Sequence, residues 1–136
     1  VVDADCLIAG VLTSEGATSA LLDRWQAGAF ELVVCPRLIG EVLKALVSER
    51  LAARYDIPAA EANAFCLQLS QEGLLSDDPR EPPRVVPDDP NDDYLIALAL
   101  SSGSGFLVTR DRHFDKVKGS GVRSLGPRGA LELSDE

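Results

Sequence analysis

The sequence has no methionine and opens at Val1, so an initiator residue, with a residue or two of the first strand, is expected to precede it. It has a single histidine, His113, and no serine or cysteine nucleophile motif. A histidine without a partner is more often a surface or core residue than a base. The three cysteines, Cys6, Cys35 and Cys66, are odd in number and far apart, with no Cys-x-x-Cys spacing, which argues against a metal knuckle. Each lies in an apolar stretch, so they are expected to be buried, reduced thiols of a cytoplasmic protein. No apolar run reaches the length of a membrane span, and no basic segment followed by an apolar one suggests a signal peptide. Positive charge is also scarce. The net charge of -9 argues against sequence-independent coating of nucleic acid, which needs a basic face. It leaves room for an enzyme that binds a polyanion locally.

What is present suits one domain over residues 1–136: 46% of the residues are hydrophobic, enough for a real core. The charges are bunched. Eight acids and two arginines stand between Glu72 and Asp93, whereas from Arg110 to Arg128 six basic residues face Asp111 and Asp115. The acidic pair Asp77-Asp78 reads as solvated surface.

Val1-Val2 reads as a short buried strand running into Asp3, followed by a helix. Residues 14–28 form a helix, with Leu21, Leu22 and Trp25 at helical spacing and Gly28 as its stop. Residues 31–35 form a strand. Pro36 then opens a helix expected to run to about Arg54, with stripes Leu38-Val42-Leu46 and Ile39-Leu43-Val47. Glu41 lies off both stripes, and periodicity alone makes it an exposed helix carboxylate. Residues 57–73 form a helix whose apolar face is Ala62, Phe65, Cys66 and Leu69. Residues 74–90 read as a polar connection, with Val85-Val86 as a possible short strand. Asn91, Asp92 and Asp93 precede an apolar helix to residue 100, acids standing where the helix dipole favours them. Phe106 to Thr109 is a buried strand, and residues 122–125 form a last short one. Strands alternating with helices predict a parallel sheet covered on both faces.

Acids recur at the ends of these strands. Asp3 ends the first, Asp92 and Asp93 follow a strand candidate, and Asp111 follows Thr109 by two residues. A parallel sheet brings its strand ends to one edge, where ligands bind in open α/β folds. Asp3 could instead simply cap the helix after it. Carboxylates gathered at one edge repel unless a cation joins them, and a hard divalent ion with oxygen ligands, Mg²⁺ or Mn²⁺, is the usual answer. Such an ion activates water and holds a phosphodiester for in-line attack.

These residues resemble the PIN-domain ribonucleases, especially the bacterial toxins of VapBC-type toxin–antitoxin pairs, over almost the whole chain. The resemblance rests on Val1-Val2-Asp3-Ala4-Asp5, on Pro36-Arg-Leu-Ile-Gly-Glu41-Val-Leu, on Asp92-Asp93-Tyr-Leu-Ile-Ala and on Leu107-Val-Thr-Arg-Asp111, in that order. It implies a three-layer α/β/α fold with a central parallel sheet of four or five strands. It implies a Mg²⁺- or Mn²⁺-dependent endoribonuclease whose acidic cluster is Asp3, Glu41, Asp93 and Asp111, with Asp5 and Asp92 as further candidate ligands. Thr109 is then placed to orient a carboxylate or a water. Arg110, Arg112 and His113 are placed to meet substrate phosphate, within a basic segment extending to Arg128. It also implies a cognate antitoxin as partner and a homodimer.

Two positions depart from the family pattern. Ala4 stands where a Thr or Ser hydroxyl usually steadies the site, and Asp5 stands in place of an Asn, adding negative charge. Two rival readings follow. Val-Val-Asp3-Ala4-Asp5 also resembles the first motif of haloacid-dehalogenase-type phosphatases, with Asp3 as nucleophile and Asp5 as general acid. That motif wants Thr or Val where Leu7 stands. The other rival is a PIN fold serving as a binding module, its site impaired by Ala4 and Asp5.

Overall fold

In this computed structural model the described residues are 1–13, 15–55, 57–79, 93–110 and 122–134, without the side chains of residues 52, 53 and 93. Asp92, Asp111, Arg112, His113 and the Val85-Val86 strand candidate lie outside them. The described residues form seven helices and four short strands, in the order α1 (Ala4–Leu12), α2 (Ala17–Gln26), β1 (Val33–Val34), α3 (Pro36–Leu46), α4 (Glu49–Tyr55), α5 (Ala59–Glu72), β2 (Leu74–Leu75), α6 (Asp93–Ser101), β3 (Phe106–Val108), β4 (Arg123–Leu125) and α7 (Pro127–Ser134).

Every strand pairing among the described residues is parallel, as expected. Residues 1–3 run beside β3: Val2 bridges Val108, Val108 N–H donates to the Val1 carbonyl at 2.7 Å, and Asp3 N–H donates to the Val108 carbonyl at 2.9 Å. On its other side β3 pairs with β4, and Thr109 N–H donates to the Leu125 carbonyl at 2.8 Å. β1 pairs with β2, Val33 against Leu74 and Val34 against Leu75. The expected single sheet of four or five strands is not formed among the described residues. They contain two parallel pairs, with residues 1–3 added to one by an isolated bridge. Segments of two or three residues make too few ladder bonds to knit a wide sheet, and helices carry most of the packing.

The core is built on stripes that the sequence announces. On α3, Leu38, Val42 and Leu46 are fully buried, while Ile39 and Leu43 only flank the core and Val47 is 50% exposed. Thus one of the two expected stripes faces inward. Pro36 occupies the first turn of α3, where a missing N–H costs nothing. The helix does not continue to Arg54. Ser48 interrupts it: the hydroxyl donates to the Ala45 carbonyl at 2.7 Å and accepts from Leu51 N–H at 3.4 Å, closing α3 and opening α4. Ala62, Phe65, Cys66 and Leu69 form the buried face of α5, and Trp25 is buried on α2. Along α6, Tyr94, Leu95, Ile96, Leu98 and Ala99 are all buried, so this helix is enclosed on more than one side.

Two elements were not expected. Leu74-Leu75, at the start of the expected polar connection, is a strand, and α7 follows the last strand. α7 opens on Pro127 and is tied to α2 by Arg24, which donates to the Leu131 carbonyl and to the Ser134 hydroxyl. Gly73 allows the sharp passage from α5 into β2. A Cβ there would stand 2.4 Å from the Leu69 carbonyl oxygen and 3.0 Å from a Val34 methyl.

Candidate active site

Asp3 sits where residues 1–3 leave the sheet and α1 begins. It caps α1, and it follows a segment that an isolated bridge joins in parallel to β3. Its backbone is extended and its Oδ1 accepts from Cys6 N–H at 2.8 Å. The Thr109 hydroxyl, at the end of the neighbouring β3, donates to Oδ2. Parallel pairing of residues 1–3 with β3 is what brings these two strand ends side by side. Asp3 is only 6% exposed, and no cationic side chain pairs with it among the described residues. Burial therefore holds its carboxyl above the ordinary carboxylate range, the Thr109 and Cys6 hydrogen bonds oppose the shift, and the Asp5 charge adds to it. Asp5 itself is exposed on α1, and Ala4 is half-buried.

Glu41 comes from the middle of α3, which packs against α1. Off both apolar stripes, it emerges at the surface, its side chain 40% exposed. It is not free to wander. Tyr94, the second residue of α6, donates its hydroxyl to Glu41 Oε2 at 2.8 Å. Arg37, one turn earlier on α3, places Nε 3.6 Å from Oε1, and its guanidinium lies over the Tyr94 ring, 4.1 Å from the centroid. Burial first, then the Glu41 carboxylate, push the Tyr94 hydroxyl far above its usual range, so it remains a donor. Asp93 opens α6 immediately before Tyr94. The Tyr94–Glu41 bond thereby fixes the backbone start of α6 against α3.

The sequence did not disclose Tyr94, Arg37 or Asp78 as members of this neighbourhood. Asp78, expected to be solvated surface, is exposed but accepts from Arg37 N–H at 2.8 Å and so caps the start of α3, for which Cys35 offers no side-chain cap. The Arg37–Glu41 spacing was a visible signal, since residues four apart on a helix meet. A tyrosine inside an apolar run was another, because a buried hydroxyl needs a partner.

Arg110 is exposed and lines a cleft of about 330 Å³ with Arg128, Thr18 and Glu15, beside the start of α2. The three cysteines are free and buried. Burial raises all three thiols, Cys35 to about 11, which disfavours the thiolate form.

The structure thus joins Asp3 to Thr109, and Glu41 to Tyr94 beside Asp93. Among the described residues no three His, Cys, Asp or Glu side chains form a cation-holding group. The expected cluster also needs the Asp93 side chain and Asp111, which lie outside them. No helix among the described residues is long and apolar enough to cross a membrane.

A family model described as PIN domain matches residues 1–113. The match includes the Val1–Asp5 stretch that could also be read as a phosphatase motif. Neither a curated protein nor a solved structure matches the chain. PIN domains have an α/β fold and are generally metal-dependent nucleases. With four-fifths of its length under that match, the chain belongs to the PIN-domain family.

Proposed function

We propose that this protein is a Mg²⁺- or Mn²⁺-dependent endoribonuclease in which Asp3, Glu41, Asp93 and Asp111 hold the cation, with Asp5 and Asp92 at the margin of the same site. The observation that carries this reading is the state of Asp3. A carboxylate held 6% exposed without a cationic partner among the described residues is an expensive way to cap a helix. Asparagine or an exposed aspartate would cap equally well. A carboxylate accepts about four hydrogen bonds, so those from Thr109 and from the Cys6 N–H and thiol leave Asp3 able to ligate, and all candidate ligands are oxygens, which suits a hard divalent ion. Connectivity supports the same site: Asp111 follows Thr109 by two residues, a reach of at most about 7 Å.

When bound, the ion would polarise the phosphodiester and supply a nucleophilic water near neutral pH. The chain's own contribution is placement. Thr109 and the Cys6 N–H fix the Asp3 carboxylate, and Tyr94 and Arg37 fix Glu41. Arg110, Arg112, His113 and Arg128 are assigned to substrate phosphates, which positions RNA without reading its sequence. The bunching of basic residues from 110 to 128 supports that assignment in a chain of net charge -9. The likeness of the four motifs to VapBC-type toxins supports a role as the toxin of a type II pair, with a small antitoxin as partner, and a homodimer. Three free buried thiols fit a reducing, cytoplasmic compartment.

The test is cleavage of a labelled RNA by purified protein with Mn²⁺, with EDTA, and with Asp3→Asn. Cleavage that needs Mn²⁺ and Asp3 is the expected result. Cleavage undiminished in Asp3→Asn would remove Asp3 from the chemistry. Release of phosphate from small monoesters, with RNA left intact, would favour the phosphatase reading. No Mn²⁺ binding and no cleavage would leave a binding module impaired at Ala4 and Asp5.

A further inference from the structure

We propose that Tyr94 is a positioning residue for Glu41, its buried phenol holding that carboxylate in the orientation in which it joins the cation site, with Arg37 bracing the pair. The role rests on the nuclease reading above and adds a residue to it. α3 alone cannot orient Glu41, because the side chain leaves the helix off both apolar stripes and is 40% exposed. An unrestrained glutamate there would have several rotamers open to it. Tyr94 supplies the restraint from another element. It is 1% exposed, so core packing fixes its ring, and only two side-chain torsions separate the hydroxyl from the backbone of α6. The hydroxyl meets Oε2 at 2.8 Å while Arg37 Nε approaches Oε1 at 3.6 Å, so each oxygen is addressed from a different residue. Arg37 is itself steadied by the Tyr94 ring under its guanidinium and by Asp78 on its N–H. A carboxylate accepts about four hydrogen bonds, so one bond from Tyr94 leaves Glu41 able to ligate. The same anchor also sets the start of α6, where Asp93 stands.

Tyr94→Phe keeps the ring, the stacking on Arg37 and the core volume, and removes only the O–H donor. Mn²⁺ affinity is read by calorimetry without RNA, in wild type, Tyr94→Phe, Glu41→Gln and the double variant. Groups that orient metal ligands typically contribute roughly ten- to a hundredfold in affinity. Tyr94→Phe is expected to weaken Mn²⁺ binding by that factor, with the melting temperature shifted by a few degrees at most, about what one lost hydrogen bond produces. In the Glu41→Gln background the same change should have little further effect, because Tyr94 acts through Glu41. An equal loss in both backgrounds would mean a structural role through α6, and the proposal fails. Wild-type affinity in Tyr94→Phe also overturns it while leaving the nuclease reading standing. Wild-type protein that binds no Mn²⁺ ends the cation site and this role together.

Discussion

Asp3→Asn separates the cost of a buried charge from the benefit of a bound cation. Asparagine is an equally good N-cap, so its side-chain oxygen can take the Cys6 N–H at the position of Oδ1. Its amide can donate to the Thr109 hydroxyl, which now donates to Oδ2. The hydrogen bonds are kept with one direction reversed, and the negative charge is gone. In the metal-free wild type, burial raises the folded-state pKa of Asp3. Between the ordinary carboxylate pKa and that raised value, the native state keeps a proton that the unfolded chain has lost. Stability contributed by Asp3 therefore falls as pH rises through this window and stays low above it. Metal-free Asp3→Asn should accordingly match wild type at acid pH and be the more stable of the two at neutral pH. Mn²⁺ should reverse the order. A ligand at a hundred times its Kd adds about 2.7 kcal/mol, roughly 10 °C in melting temperature for a domain of this size. Thermal melts of both proteins from pH 4 to pH 8, with EDTA or with Mn²⁺, measure all of this. Wild type gaining on Asp3→Asn as metal-free pH rises, or Mn²⁺ raising both melting temperatures equally, would refute the reasoning.

Thr109→Val removes the hydroxyl from Asp3 at nearly constant volume. A hydrogen bond to a charged group contributes about 1.5–3 kcal/mol, so urea unfolding should show a loss near 2 kcal/mol; Thr109→Ser should recover most of it. Asp78→Ala uncaps α3 and should cost about 1 kcal/mol, seen as a lower urea midpoint with an unchanged slope. An unchanged midpoint would mean that the Arg37 N–H finds an equivalent partner in water.

The legible parts of the sequence are those set by local chemistry. Pro36 with the stripe Leu38-Val42-Leu46 announces α3, and Ala62, Phe65, Cys66 and Leu69 announce the inner face of α5. The acids before Tyr94 mark the start of α6, and Val1-Val2 leads into Asp3 as a buried segment of a parallel pairing. What local pattern does not show depends on partners distant in the chain or on very few residues. Leu74-Leu75 is a strand only because Val33-Val34 lies beside it, and two exposed leucines have no period to recognise. Ser48 breaks a helix whose apolar pattern runs straight through it. Asp78 reads as surface and is exposed, yet it caps a helix that begins more than forty residues earlier. Glu41 is the instructive case. Periodicity placed it at the surface, where it is, but could not show that Tyr94, fifty-three residues on, waits there with a hydroxyl.

Whether Asp3, Glu41, Asp93 and Asp111 serve one cation is decided by a calorimetric Mn²⁺ titration of the four single variants Asp3→Asn, Glu41→Gln, Asp93→Asn and Asp111→Asn. Each variant is expected to stay folded and to weaken binding by roughly tenfold or more, as loss of a group that holds or orients a metal does. Wild-type Mn²⁺ affinity retained in any of the four would contradict a shared site.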